Sequence, residues 1–220
     1  MKAIGILGGA FSPFHNGHLR VALEAREKLG LSQVRLIPTA HAPHRPDSRI
    51  SPQRRLEWVR LAVRREKGLV ADDCEIRRDG PSFTVDTLAA LRETYPQAAL
   101  VLLMGADAFA HLHTWNRWQQ LFEYGHVAVV TRPGTRLRAP AETASFLEGR
   151  RATHADELHE TAAGLWLTLE LPQLDISSTR IRRLLRRQQS VRGLVPDAIL
   201  NAMTAADLAA LTQDDNATKH

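Results

Sequence analysis

The chain has 220 residues, 44% of them hydrophobic and 24% charged, with 29 basic against 24 acidic side chains and a formal net charge of +5. This composition suits one large globular domain, with at most a modest C-terminal appendage, and no apolar run approaches the roughly 20 residues that a bilayer span needs. The single cysteine, Cys74, excludes an internal disulfide and a thiolate zinc cluster and fits a reducing cytosol.

The first apolar run, Ala3-Ile4-Gly5-Ile6-Leu7, begins almost at the N-terminus and runs straight into a glycine loop. No cleaved leader is expected, because its removal would take that loop away. Strand-like runs cover 3–7, 34–38, 70–76, 99–104, 127–131 and 165–171, and helical spacing lies between them over 17–29, 52–67, 84–94, 115–122 and 141–148. Such alternation, with near-continuous apolar strands, predicts an α/β fold: a Rossmann-like, doubly wound, mostly parallel sheet with helices on both faces. Ligands of such sheets bind beyond the carboxyl ends of the strands at a topological switch point, here after Leu7, Ile37, Met104 and Leu171. Residues 41–52, rich in proline and charge, read as a loop beside that edge. A C-terminal helical part begins near 177, with a further helix opening at Val195-Pro196-Asp197. The expected domain is 1–203, followed by a polar, frayed extension over 204–220.

Four clusters carry chemistry. The turn after the first strand reads Gly8-Gly9-Ala10-Phe11-Ser12-Pro13-Phe14-His15-Asn16-Gly17-His18. A strand that breaks at two glycines and re-enters as a helix exposes backbone N–H groups and a positive dipole end. His15 and His18, three apart, face the same way and can donate to phosphate oxygens whether neutral or charged. One histidine is usually a surface or satisfied core residue; two at this spacing behind a double glycine mark a phosphate site built from imidazoles. No metal set is expected, since a third and fourth ligand are wanting.

The second cluster, Ile176-Ser177-Ser178-Thr179-Arg180-Ile181-Arg182, is an N-cap with stacked hydroxyls whose helix dipole can face phosphate. Alone it is equally an ordinary capped helix with arginines in water. The third, Pro81-Ser82-Phe83-Thr84-Val85-Asp86-Thr87-Leu88, is a helix N-terminus with Asp86 and Thr87 in its first turn. The fourth combines Gly105-Ala106-Asp107, a carboxylate placed to accept from ribose hydroxyls, with Trp115-Asn116-Arg117-Trp118. Tryptophans at this spacing are more often core packing than ligand stacking.

The first two clusters resemble the signature of the HxGH nucleotidyltransferase superfamily, G-G-x-F-x-P-x-H-x-G-H with I-S-S-T-x-I-R. Ala10 and Ser12 depart from the commonest G-G-T-F-D-P form and remove a hydroxyl and a carboxylate. The third is similar to the P-S-Y-T-x-D-T-L segment of bacterial nicotinate-nucleotide adenylyltransferases, with Phe83 for tyrosine. Ala42-Pro43-His44-Arg45 resembles that family's P-P-H-K/R loop and Arg132-Pro133-Gly134 its R-P-G turn. The resemblance runs from Lys2 to about Met203.

It implies adenylyl transfer from ATP to nicotinate mononucleotide, giving nicotinate adenine dinucleotide and pyrophosphate, a late step of NAD biosynthesis in the cytoplasm. The resemblance implies that His15 and His18 are catalytic. It assigns ATP contacts to Gly8, Gly9, Ala10, Phe11, Ile176, Ser177, Ser178, Thr179 and Arg182. It assigns the acceptor to His44, Arg45, Thr84, Asp107, Trp115, Asn116 and Arg132. Thr84 and the Asn116 N–H would meet the pyridine carboxylate, Trp115 would stack on the ring, and Arg132 would take the acceptor's 5′-phosphate. Mg2+ would be held mainly by ATP phosphate oxygens. No nucleic-acid or membrane partner is expected.

Three alternatives are weighed against this reading. One is another HxGH enzyme, acting on nicotinamide mononucleotide, phosphopantetheine or a cytidylyl donor. A second, a dinucleotide-binding oxidoreductase, lacks its G-x-G-x-x-G fingerprint. A third is a nucleic-acid-binding module on the arginine-rich helix at 180–187.

Overall fold

The computed structural model describes residues 1–43, 48–135, 137–172 and 174–213. Among them, six strands form one parallel sheet: β1 (Ala3–Gly9), β2 (Gln33–Pro38), β3 (Leu69–Ala71), β4 (Ala99–Gly105), β5 (His126–Thr131) and β6 (Trp166–Glu170). Their order across the sheet is β3-β2-β1-β4-β5-β6. Chain direction across the sheet reverses at β1, which pairs with β2 on one side and β4 on the other, Ile6 facing Arg35 and Leu102. This is the expected doubly wound Rossmann-like architecture, with its switch point between the carboxyl ends of β1 and β4.

Burial explains why the strands read as unbroken apolar runs. Alternate residues of β1 enter opposite cores: Ala3 and Leu7 join Phe14, Ala22 and Ile181, while Ile4 and Ile6 join Leu88, Phe109 and Phe122. A strand covered on both faces has no solvent side on which to place a polar residue. Helices α1 (Asn16–Lys28), α2 (Pro52–Val63) and α7 (Ser178–Arg186) lie on the first face; α3 (Thr84–Thr94), α4 (Ala106–Ala110), α5 (Leu121–Tyr124) and α6 (Ala141–Leu147) lie on the second.

Three elements differ from expectation. β3 ends at Ala71 instead of running to 76, because Asp72 turns inward. Its carboxylate takes the Arg35 guanidinium at 2.6 Å and the Cys74 N–H at 3.0 Å, satisfied charge replacing a ladder. The helix expected over 115–122 is replaced by extended Trp115, left-handed Arg117 (φ 48°), a 3-10 turn at Trp118–Gln120 and the start of α5, after α4 and a first 3-10 turn at Leu112–Thr114. Both tryptophans nevertheless pack, partly buried, against the second core.

Ordered structure continues past the expected domain end at 203. After α8 (Asp197–Leu200), residues 204–212 are an ordered part of the core as helix α9 (Ala205–Thr212), closed by a Thr204–Asp207 capping box. Leu211 is 2% exposed, and Arg54 reaches across from α2 to Asp207 at 2.7 Å and to the Ala202 carbonyl at 2.6 Å. The alanine-rich, polar-flanked sequence has a weak apolar stripe, so this anchoring is legible only in three dimensions. Residues 214–220 of the expected extension lie outside the described residues.

Candidate active site

The glycine turn ends β1 with Gly8 and Ala10 exposed at the carboxyl edge of the sheet. A Cβ on Gly9 would stand 2.8 Å from the Phe11 ring, so a side chain there would push that ring out of place. Phe11 takes a left-handed backbone (φ 48°) and is 2% exposed. Its ring meets Phe14 at 5.2 Å and His18 at 4.9 Å, edge-on in both cases. The Phe11 side chain thus faces the core and supports His18.

His15 and His18 are brought together as the sequence spacing requires. Their rings stack with centroids 3.5 Å apart and a 17° interplanar angle. His15 is the N-cap of α1: its Nδ1 accepts from the His18 N–H, and His18 Nδ1 accepts from the His15 N–H, each at 3.3 Å. This reciprocal box settles the tautomers. With both Nδ1 atoms accepting, the proton of each neutral ring sits on Nε2, and both rings present a donor. Burial lowers the His15 pKa to about 4. Burial first, then the neighbouring His15 imidazole, holds His18 well below the ordinary histidine range. Gly17 fits between: a Cβ there would lie 3.0 Å from His15 Nδ1 and 3.6 Å from Ile176.

The second motif closes on the first. Ser177 caps α7 by accepting the Arg180 N–H at 3.1 Å. Ser178 Oγ donates to the Pro13 carbonyl at 2.9 Å, and Arg182 donates to the Ser12 carbonyl at 2.8 Å and to Thr179 Oγ1 at 3.4 Å. Ends of the chain some 165 residues apart thus share one loop. The Thr179 hydroxyl, the Arg182 guanidinium and the imidazole N–H groups converge there, groups able to donate to phosphate oxygen.

Arg55, which the sequence reading passed over, braces this cradle from below. It is 2% exposed and donates to the carbonyls of Ala10 at 2.8 Å, Thr39 at 2.7 Å and Ile50 at 3.1 Å. Asn16 is a second such residue, its backbone and side chain bonding the Leu194 and Gly193 carbonyls at 2.8 Å each. Neither shows a spacing signal, because their partners are backbone atoms distant in sequence.

On the other side of the switch point, α3 begins with Thr84. Its N-cap, Phe83, offers no side-chain acceptor; its carbonyl takes the Asp86 N–H at 3.1 Å, which leaves the Thr84 and Val85 amides as the uncapped donors of this helix start. Ser82 fixes this entry by accepting the Ala40 and His41 N–H groups at 3.1 and 3.2 Å, while its own N–H donates to the His41 carbonyl at 2.8 Å. Thr87 donates to buried Glu75 at 2.8 Å. Asp107, in the first turn of α4 at the end of β4, is exposed, and its carboxylate makes no hydrogen bond or ion pair among the described residues. Asn116 is exposed; Trp115 and Trp118 are both partly buried against the second core, Trp118 edge-on to Phe146 at 4.9 Å.

Arg132 follows β5, exposed; its ionic neighbour is Asp175, 3.9 Å away in the segment leading to α7. It therefore stands on the α7 side of the site. His44 and Arg45 lie outside the described residues. A groove of about 700 Å³ between Lys28, Arg151 and Thr168 runs along β6 and includes none of these residues.

The comparisons agree with this geometry. The cytidylyltransferase-like family model matches residues 6–184. The probable nicotinate-nucleotide adenylyltransferase of Aeromonas salmonicida is 45% identical over 197 residues, covering 89% of this chain and 92% of the relative. That of Halorhodospira halophila is 45% identical over 206 residues, 94% of each. The solved Plasmodium falciparum nicotinic acid mononucleotide adenylyltransferase, complexed with NaAD, superposes with a TM-score of 0.69 over 94% of this chain and 98% of that one. At 15% identity it shares the fold. With an HxGH turn and an S-S-T-x-I-R helix meeting at the switch point of a cytidylyltransferase-like sheet, this chain belongs to the nicotinate-nucleotide adenylyltransferase family.

Proposed function

We propose that the chain joins ATP to nicotinate mononucleotide, giving nicotinate adenine dinucleotide and pyrophosphate. The observation that carries this reading is the stacked, neutral His15–His18 pair on a loop that α7 clamps through Ser178 and Arg182. The acceptor's 5′-phosphate is an anion near neutral pH, so its attack on the α-phosphorus needs no general base. Catalysis then rests on positioning and on stabilising charge on the phosphoryl oxygens and leaving pyrophosphate. His18 Nε2–H serves the α-phosphate, His15 the adjacent phosphates, and Ser178, Thr179 and Arg182 the β,γ end.

Magnesium suits this site as part of the ATP complex. The cradle offers imidazole, hydroxyl and guanidinium donors, which hold phosphate oxygens, and leaves a hard cation to phosphate and water ligands. Thr84, the open amides of α3, Trp115 and Asn116 form the pyridine end, with Asp107 for ribose and Arg132 for the acceptor phosphate. A half-buried, unreactive thiol at Cys74, its pKa raised to about 12 chiefly by burial, is in keeping with a cytoplasmic enzyme.

The test is mass detection of dinucleotide and pyrophosphate from purified protein, ATP, magnesium and nicotinate mononucleotide. Parallel initial rates with nicotinamide mononucleotide read the acid preference, and equal kcat/KM values would refute it.

A further inference from the structure

Asp86 creates a problem for the acceptor reading. It lies in the first turn of α3, two residues after Thr84. A carboxylate there favours the helix N-terminus electrostatically but opposes an anionic ligand at the same open amides. The structure holds an answer on a different element. Arg117 donates from NH2 to Asp86 Oδ1 at 2.5 Å and from Nε to Asn116 Oδ1 at 2.8 Å. It does so from a left-handed backbone, φ 48°, that side chains rarely adopt. One guanidinium thus joins the α3 entry to the turn carrying Trp115 and Asn116. The two side chains are 48% and 35% exposed, open enough for the pair to be set by charge and not by core packing.

We propose that Arg117 is a specificity-determining residue: by cancelling the charge of Asp86 it makes the pyridine end of the site favour an anionic ring substituent over a neutral one. This rests on the acceptor assignment of Thr84, Trp115 and Asn116. With the pair intact, the local side-chain charge is near zero, and the open amides with the α3 dipole give the field a positive balance. Without Arg117, Asp86 turns that balance negative. Without Asp86, Arg117 leaves it more positive.

The experiment compares kcat/KM for nicotinate and nicotinamide mononucleotides in wild type, Arg117→Gln, Asp86→Asn and the double variant. The acid-to-amide ratio should fall about fivefold in Arg117→Gln, within the range of a part-exposed charge pair. It should hold or rise in Asp86→Asn and return to within about twofold of wild type in the double variant. Arg117→Gly, which accepts the left-handed backbone without strain, should behave as Arg117→Gln. Raising ionic strength from about 0.02 M to about 0.5 M should shrink the Arg117→Gln defect, because exposed repulsion is screened.

An unmoved ratio in Arg117→Gln, an equal loss on both substrates, or a double variant no better than Arg117→Gln would overturn the proposal. Trp115→Ala separates the two levels of inference. A raised KM for the mononucleotides supports the acceptor pocket, so failure of the charge variants then counts against Arg117 alone. An unchanged KM removes the pocket and the proposal together.

Discussion

At the scale of single residues, the histidine pair is tuned by its own backbone. The reciprocal Nδ1 contacts and burial leave both rings neutral with the proton on Nε2. Such a donor is preorganised, with no proton to lose during the reaction. Replacing His18 with alanine should lower kcat by about 100-fold or more, as loss of one transition-state donor does, with a smaller change in ATP affinity. Turnover equal to wild type, in single-turnover and ATP-binding measurements, would remove that role. The pH–rate profile gives a separate check. Because burial lowers the His15 pKa to about 4, kcat should show no histidine limb between pH 6 and 8. A limb near the ordinary histidine value in wild type, absent from the His15→Asn variant, would contradict the neutral-pair account.

At the scale of elements, the site is made by helix starts. α1, α3 and α7 each bring an N-terminus to the carboxyl edge of the sheet, and each is fixed differently: by a histidine capping box, by Ser82 ahead of an uncapped turn, and by Ser177. α9 takes no part in the chemistry yet secures α2, which carries Arg55. Asp207 is held below the usual carboxylate range, first by its bond to Arg54 and also by the Thr204 hydroxyl and backbone. Asp207→Ala removes the capping box and leaves Arg54 without this partner. It should destabilise the fold by about 2 kcal/mol, a lost cap plus a lost charge-assisted bond, read as a lower urea midpoint with ATP affinity little altered. A midpoint unchanged from wild type would return α9 to the status of an appendage.

For the whole molecule, buried neutral histidines couple stability to pH. His126 is fully buried at the start of β5, bonded through Nε2 to the Thr161 carbonyl and through Nδ1 to the Leu165 N–H. Its pKa is lowered, chiefly by burial, as is that of His15. The unfolded chain binds protons on these histidines below pH about 6.5 while the native state does not. Stability therefore falls as pH drops from about 6.5 towards 4, by about 1.4 kcal/mol per pH unit for each histidine that stays neutral. Urea titrations at pH 7.5, 6 and 5 should show this slope, and it should be shallower in His126→Gln; a midpoint independent of pH over that window would contradict it.

The sequence by itself determined the sheet class, the strand positions and the chemical character of the site. Those are set by signals within short windows: unbroken apolar runs for doubly covered strands, two glycines before a helix start, and two histidines one helical turn apart. The order of the strands came from the structure. What only the tertiary structure decided depends on contacts between distant segments. It set the Phe11 ring against His18, broke the segment after β4 into short turns, and placed Arg132 beside Asp175. It drew α9 into the core and supplied Arg55, Asn16 and the Asp86–Arg117 pair. Each of these rests on a bond to a carbonyl or carboxylate elsewhere in the chain, or on packing between elements, and neither leaves a period in the sequence.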